Sequence, residues 1–230
     1  MKKKIKAIIL CGGKGKRLLP LTKLVPKPLV RIKRKPILEY ILNYFSNSLI
    51  DEFIIATGYR SIDINKFINK SSHKNKCKVI YTGNNDILVR IKKCLSLIKD
   101  EDFLVLYGDT ISDINLNKLT KFHFKNKKPA TVTLYQLKSS FGLMQTDKND
   151  NVISYNEKPK LNKWINIGYF YFSNKLINDI NKFRNFENFL NHIIKKNKLN
   201  AYKHYGKHIT VNTLNELNEA KNNINEIFYK

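Results

Sequence analysis

The sequence predicts an α/β fold: a doubly wound, mostly parallel sheet with helices on both faces and a mixed, β-rich C-terminal half. Three observations carry this. Short apolar runs alternate with helically spaced apolar stripes as far as Tyr107. The first run ends directly in a glycine-rich turn. From about residue 129 the pattern changes to closely spaced strands.

Ile5 to Leu10 is a nearly continuous apolar run, as expected of a strand buried on both faces. Pro36 opens a helix with Ile37, Leu38, Ile41, Leu42 and Phe45 on one face. A strand at Phe53–Ala56 follows, and Ser61 stands as the cap of a short helix bearing Ile64, Phe67 and Ile68. Lys78–Tyr81 reads as the next strand. Asp86 reads as the cap of a helix in which Ile87, Ile91, Cys94, Leu95 and Ile98 recur at helical spacing. Phe103–Tyr107 is an all-apolar strand that stops at Gly108-Asp109. Repeated β–α units imply parallel pairing, and in such sheets ligands lie beyond the carboxyl ends of the strands. The Cys11–Leu18 loop and Asp109 are therefore expected at one rim.

In the second half, Ala130–Leu137, Met144–Thr146, Val152–Tyr155 and Ile165–Phe172 read as strands, with Asn149-Asp150-Asn151 as a turn. Tyr169 to Phe172 read as core. A helix follows with Phe186, Phe189, Leu190, Ile193 and Ile194 as its buried face. The last helix opens with Thr213-Leu-Asn-Glu216, a capping-box pattern, and carries Leu214, Leu217, Ala220 and Ile224. With no internal repeat or linker, residues 1–230 are expected to form a single domain.

Composition narrows the function classes. Among 230 residues, 43 are Lys or Arg and 18 are Asp or Glu, a net charge of +25, yet 42% are apolar, which excludes wholesale disorder. No apolar run approaches the ~18 residues of a membrane span. Gly12 and Gly13 end the apolar run behind the basic flank Met1–Lys4 before a signal-peptide core develops. Three unpaired-looking cysteines (Cys11, Cys77, Cys94) argue against a disulfide scaffold, so a cytoplasmic location is expected. The basic residues are spread along the chain, so nucleic acid is not expected as a partner. A homo-oligomer is left open.

Three motifs carry chemistry. The first is Leu10-Cys-Gly-Gly-Lys-Gly-Lys-Arg-Leu18, which follows the first strand. It lacks the Gly-Lys-Ser/Thr of a Walker loop, and Leu18 stands where a dinucleotide fingerprint has its third glycine. Gly12, Gly13 and Gly15 still allow close backbone approach to an anion, and Lys14, Lys16 and Arg17 add positive charge. The second is Pro26-Lys27-Pro28, in which two prolines are expected to hold a surface lysine in an extended, pre-organised segment. The third is Gly108-Asp109, a carboxylate at a strand end. Mg²⁺ bound to substrate phosphates typically needs only one or two such groups.

In this order, and followed by Glu157-Lys158-Pro159, these motifs resemble the sugar-1-phosphate nucleotidylyltransferases over almost the whole chain. Lys35-Pro-Ile-Leu38, Gly58-Tyr59, Tyr81-Thr-Gly83 with Arg90-Ile-Lys92, Phe141-Gly142 and Ile165-Asn-Ile-Gly168 bring it nearest the glucose-1-phosphate cytidylyltransferases. The resemblance implies a Rossmann-like nucleotidyltransferase domain, with residues 1–128 as the nucleotide-binding half and 129–230 as the acceptor-binding half. It implies transfer of NMP, from CTP as the favoured donor, to a phosphorylated acceptor with release of pyrophosphate. That chemistry would fit precursors of cell-surface polysaccharides.

The resemblance also implies roles. Arg17, Lys27 and Asp109 would be catalytic. Leu10, Gly12, Gly13, Gly15, Lys16, Thr82, Gly83 and Gly108 would bind nucleotide, and Glu157, Lys158, Asn166 and Gly168 the acceptor. Asp109 and Asn212 would hold Mg²⁺. Asn212 stands where the family usually has a second Asp, Leu88-Val89 where it has Gly-Gly beside the base, and Lys16 where it has Thr. The stretch from Lys70 to Thr82 is short, so a non-sugar acceptor such as phosphocholine stays an alternative, and Asn212 with the altered base segment keeps open a non-catalytic basic relative that binds nucleotide or nucleic acid. His204 and His208 lack the further ligands a zinc site needs. Cys11 is expected to be packing, and Asp63, Asp86 and Asp113 caps or turns.

Overall fold

The first apolar run forms β1 (Ile5–Cys11), followed by the one-turn helix α1 (Leu21–Leu24) and the short strands β2 (Arg31–Ile32) and β3 (Lys35–Pro36). The computed structural model describes residues 5–99 and 101–228, so the flank Met1–Lys4 lies outside the described residues. Alternation then sets in: α2 (Ile37–Phe45), β4 (Ile50–Thr57), α3 (Ser61–Lys70), β5 (Cys77–Tyr81), α4 (Ile87–Ile98) and β6 (Phe103–Tyr107). Next come β7 (Thr110–Ser112), α5 (Leu116–Asn126), β8 (Ala130–Lys138), β9 (Leu143–Thr146), β10 (Val152–Asn156) and β11 (Lys160–Phe172). The chain continues with α6 (Ile177–Lys182), α7 (Phe186–Lys195), β12 (Leu199–His204), β13 (His208–Thr210), α8 (Leu214–Asn223) and α9 (Asn225–Phe228).

A seven-stranded sheet runs β12-β8-β11-β6-β1-β4-β5. β1 lies parallel between β4 and β6, and β5 extends β4 in parallel. β11 is antiparallel to both β6 and β8, which makes the second half mixed. The expected class is therefore the observed one. Because side chains alternate across a strand, β1 sends Ala7, Ile9 and Cys11 into one core and Ile8 into the other. The first core takes apolar faces from α2, α3, α5 and α8, and the second from α4, α6 and α7. Tyr169, Phe170, Tyr171 and Phe172 are all buried.

Several local expectations change. Ser61 is the first residue of α3, not its cap; Arg60 precedes it with a left-handed φ of 52°, and the Ser61 hydroxyl pairs with that of Thr57 at 2.7 Å. Ile194 and Leu214 are exposed, because each lies beside, not on, the stripe its helix buries. The Glu216 carboxylate reaches one residue past the Thr213 cap and accepts from the Asn212 backbone N–H. Asp86 caps α4 by accepting from Leu88 N at 2.8 Å, and it also accepts from Phe186 N, tying α4 to the start of α7.

His123 lies in the core, stacked on Tyr171 at 4.0 Å with its Nδ1 2.8 Å from the Thr131 hydroxyl. Burial pushes its pKa down to about 4, against a weaker opposing pull from Asp102. His208 is pushed down to about 4 by burial and by His204. In the unfolded chain both titrate near ~6.5. Between those values the unfolded state binds more protons, so stability falls as pH drops through that window. Thermal unfolding followed by circular dichroism should give a lower midpoint at pH 5 than at pH 7.5, with a smaller gap in His123→Phe. Equal gaps in both proteins would rule His123 out as a source.

Candidate active site

The carboxyl ends of β1 and β6 set the site. After Cys11 the glycine loop crosses the rim. Gly15 takes a left-handed φ of 63°, where a Cβ would lie 2.8 Å from Thr22 Cγ2 and 3.2 Å from Lys27 Cβ, so glycine is required there. A 3₁₀ turn follows at Lys16–Leu18; buried Leu18 anchors it while Lys16 and Arg17 stay exposed.

Lys27 differs from its expected surface position. Pro26 is extended, but Lys27–Leu29 closes into a second 3₁₀ turn that tucks the lysine stem under Gly15, leaving the residue 8% exposed. Its Nζ donates to Asp109 Oδ2, just beyond β6, and to Asn212 Oδ1 at 2.8 Å. Arg17 Nη2 donates to the same Asn212 oxygen at 3.0 Å. A cavity of about 240 Å³ is lined by Gly13, Gly15, Lys16, Arg17, Lys27, Asp109 and Asn212. A second, of about 260 Å³, shares Gly13, Lys27 and Asp109 and runs inward past Leu10, Gly108, Ile87, Arg90 and Tyr107. Three cationic side chains and a glycine loop around one carboxylate make a place where a polyanion can lie beside a bound cation.

Arg90 was not among the expected site residues. It is 8% exposed, and its guanidinium rests on Gly12, where a Cβ would come within 2.4 Å of Nη1. Nε donates to Asn85 O at 2.8 Å, and among the described residues the terminal nitrogens have no hydrogen-bond acceptor. Burial lowers its pKa, with Asp86 and Cys11 opposing. The signal in the sequence was an arginine falling on the apolar stripe of α4.

Other expected residues lie apart. Thr82 is buried, and its hydroxyl and backbone N–H both donate to Thr57 O; neither it nor Gly83 lines the two cavities. Asn166 does not line the inner cavity but touches a residue that does, its Nδ2 3.5 Å from the Tyr107 hydroxyl, while its Oδ1 accepts from Gly168 N at 2.7 Å. Gly168 has a φ of 78° and faces the Tyr107 ring so closely that a Cβ would lie 2.2 Å from Cγ. Glu157 and Lys158 are exposed, and Lys158 lines a neighbouring cleft of about 400 Å³ with Lys138, His208, Thr210, Glu216 and Glu219. Thr210 joins that cleft to the site, since its hydroxyl accepts from Asn212 Nδ2 at 3.3 Å.

The donor set admits Mg²⁺ at Asp109. Among the described residues its Oδ1 meets only the Thr110 hydroxyl, at 3.3 Å, and a single carboxylate oxygen completed by substrate phosphates suffices for that ion. Asn212 Oδ1 is instead engaged by Lys27 and Arg17. Among the described residues no group of three His, Cys, Asp or Glu could hold a metal; His204 faces Asp113 at 3.0 Å. Burial, helped by Asp109, pushes the Cys11 thiol well up.

A family model described as nucleotidyl transferase matches residues 6–222. The chain is 30% identical over 200 residues to the probable glucose-1-phosphate cytidylyltransferase of Bacillus subtilis, covering 77% of this chain and 78% of that protein. It is 34% identical over 184 residues to the D-glycero-alpha-D-manno-heptose 1-phosphate guanylyltransferase of Campylobacter jejuni, covering 76% and 79%. Similarity to the bifunctional protein GlmU of Methanococcus aeolicus is 35% over 176 residues, but the chain spans only 41% of that relative. A solved putative glucose-1-phosphate thymidylyltransferase from Bacillus anthracis shares the fold, with a TM-score of 0.77, 21% identity and coverage of 98% and 97%.

Burial also pushes Cys77 and Cys94 up to about 12, Cys77 with help from Glu52. Since the thiolate is the reactive form, the folded protein at pH 8 should resist a thiol reagent at all three cysteines and label fully in denaturant. Fast labelling of native Cys11, read by mass spectrometry, would contradict its placement.

Proposed function

We propose, from the premise that this chain belongs to the nucleotidyl transferase family, that it transfers CMP from CTP to the phosphate of a sugar 1-phosphate and releases pyrophosphate. The observation that carries the reading is the convergence of Arg17, Lys27 and Asp109 with the glycine loop on one cavity. An acceptor phosphate oxygen attacks the α-phosphorus. A new P–O bond forms there, the bond to the β-phosphate oxygen breaks, and pyrophosphate leaves with the electron pair. The nucleophile is already an anion, so no general base is required.

The obstacle is repulsion between two polyanions and the charge that grows on the leaving group. Arg17 can pair with the terminal phosphates through its planar fork, and Lys27 adds a compact charge nearer the reacting centre. Both are held in place before substrate arrives, so little reorganisation is left for the reaction. Mg²⁺ held by Asp109 would neutralise further phosphate charge as a Lewis acid.

Arg90 supports CTP over UTP as the donor. A guanidinium only donates, so it matches a base edge with adjacent acceptors. Cytosine offers O2 and N3 side by side, whereas uracil places an N–H between its carbonyls. The neighbouring cleft supports a sugar acceptor: Lys138 and Lys158 suit its phosphate, and Glu216 and Glu219 can accept from hydroxyls.

Pyrophosphate release should be fastest with CTP plus a hexose 1-phosphate, in a screen of the common nucleoside triphosphates against sugar phosphates and phosphocholine. UTP matching CTP would sink the donor assignment, and no release with any pair would sink the activity. Lys27→Ala and Asp109→Asn should each lower kcat/KM by roughly a hundredfold or more, as removal of a pre-organised charge does. Turnover unchanged in folded Asp109→Asn would exclude its role.

A further inference from the structure

Asn212 occupies an unusual place in the site. Its side-chain oxygen receives two donors from separate segments of the chain, Lys27 Nζ at 2.8 Å and Arg17 Nη2 at 3.0 Å. An amide oxygen has two lone pairs, so both are in use. The amide is also oriented from behind. Its Nδ2 donates to the Thr210 hydroxyl at 3.3 Å, and its backbone N–H is held by Glu216 at the start of α8. The oxygen is thereby fixed toward the two cations and the nitrogen toward β13.

Charge gives this arrangement its consequence. Around the cavity, Arg17 and Lys27 face one carboxylate, Asp109, and an uncharged amide. With Lys16 also on the lining, the pocket keeps two net positive charges. An aspartate at 212 would place a second carboxylate against the same two cations and neutralise them, leaving only the exposed Lys16 of this lining to attract a polyanion until a divalent cation binds. The amide gives the same hydrogen-bonding geometry without that charge.

We propose that Asn212 is a positioning residue that clamps Arg17 and Lys27 together while leaving their charge available, so that the nucleoside triphosphate binds before, and without, a divalent cation. This rests on the reading of the site as a triphosphate cradle. Asn212 acts through the two cations and takes no metal itself.

The test is CTP binding by calorimetry to the full chain in EDTA and again with saturating Mg²⁺, for the wild type, Asn212→Asp and Asn212→Ala. The wild type should bind CTP in EDTA. Asn212→Asp should lose at least tenfold in metal-free affinity and recover most of it with Mg²⁺, which a merely structural role would not produce. Asn212→Ala keeps the charge and loses the clamp, so it should weaken binding by a similar factor with and without metal. Equal metal-free affinities for the wild type and Asn212→Asp would overturn the proposal while leaving the cradle intact. Absence of CTP binding by every protein in both conditions would overturn the cradle, and the proposal with it.

Discussion

One buried ammonium organises this site. Lys27 Nζ lies between the carboxylate of Asp109 and the amide of Asn212, joining the loop after β1, the end of β6 and the segment before α8. Such a group is stable only with partners: breaking a buried ion pair by removing one side typically costs about 3–5 kcal/mol. The rest of the site follows from that contact. Gly15 is left-handed and bare because the lysine stem packs beneath it, and Arg17 is drawn in because it shares the same amide oxygen.

The sheet makes the meeting possible. β1 and β6 run parallel and adjacent, so their carboxyl ends deliver Gly12–Gly15 and Asp109 to one rim. β11 then enters antiparallel beside β6. Its register shifts between Asn166 and Phe170, where Gly168 yields to the Tyr107 ring. That irregularity carries Asn166 to the hydroxyl of Tyr107, a residue that lines the inner cavity. The turn between β10 and β11, by contrast, holds Lys158 at the adjoining cleft, so the two ends of the proposed reaction are presented by different segments.

How much of this the sequence showed depends on what each signal measures. Apolar runs buried on both faces, such as Phe103–Tyr107, were legible to the residue because nothing competes with burial there. α5 was not, since its buried stripe of Leu116, Leu119 and His123 includes a residue that reads as polar. β12 was hidden because Leu199–His204 alternates only weakly within a basic stretch. Lys27 was legible as a motif but not as a place: two prolines limit φ without saying that the turn folds inward. Arg90 and the clamp at Asn212 depend on contacts across 78 and 195 positions of chain, counted to Gly12 and to Arg17, which no local pattern encodes.

The central claim is that a triphosphate lies in the cationic cradle at this rim and takes Lys27 as a partner. A crystal structure of the protein with a non-hydrolysable CTP analogue tests it most directly. The account predicts phosphate density against the glycine loop, Arg17 and Lys27, with the base toward Arg90. A triphosphate bound at another surface, with Lys27 still closed on Asp109 and Asn212, would contradict it.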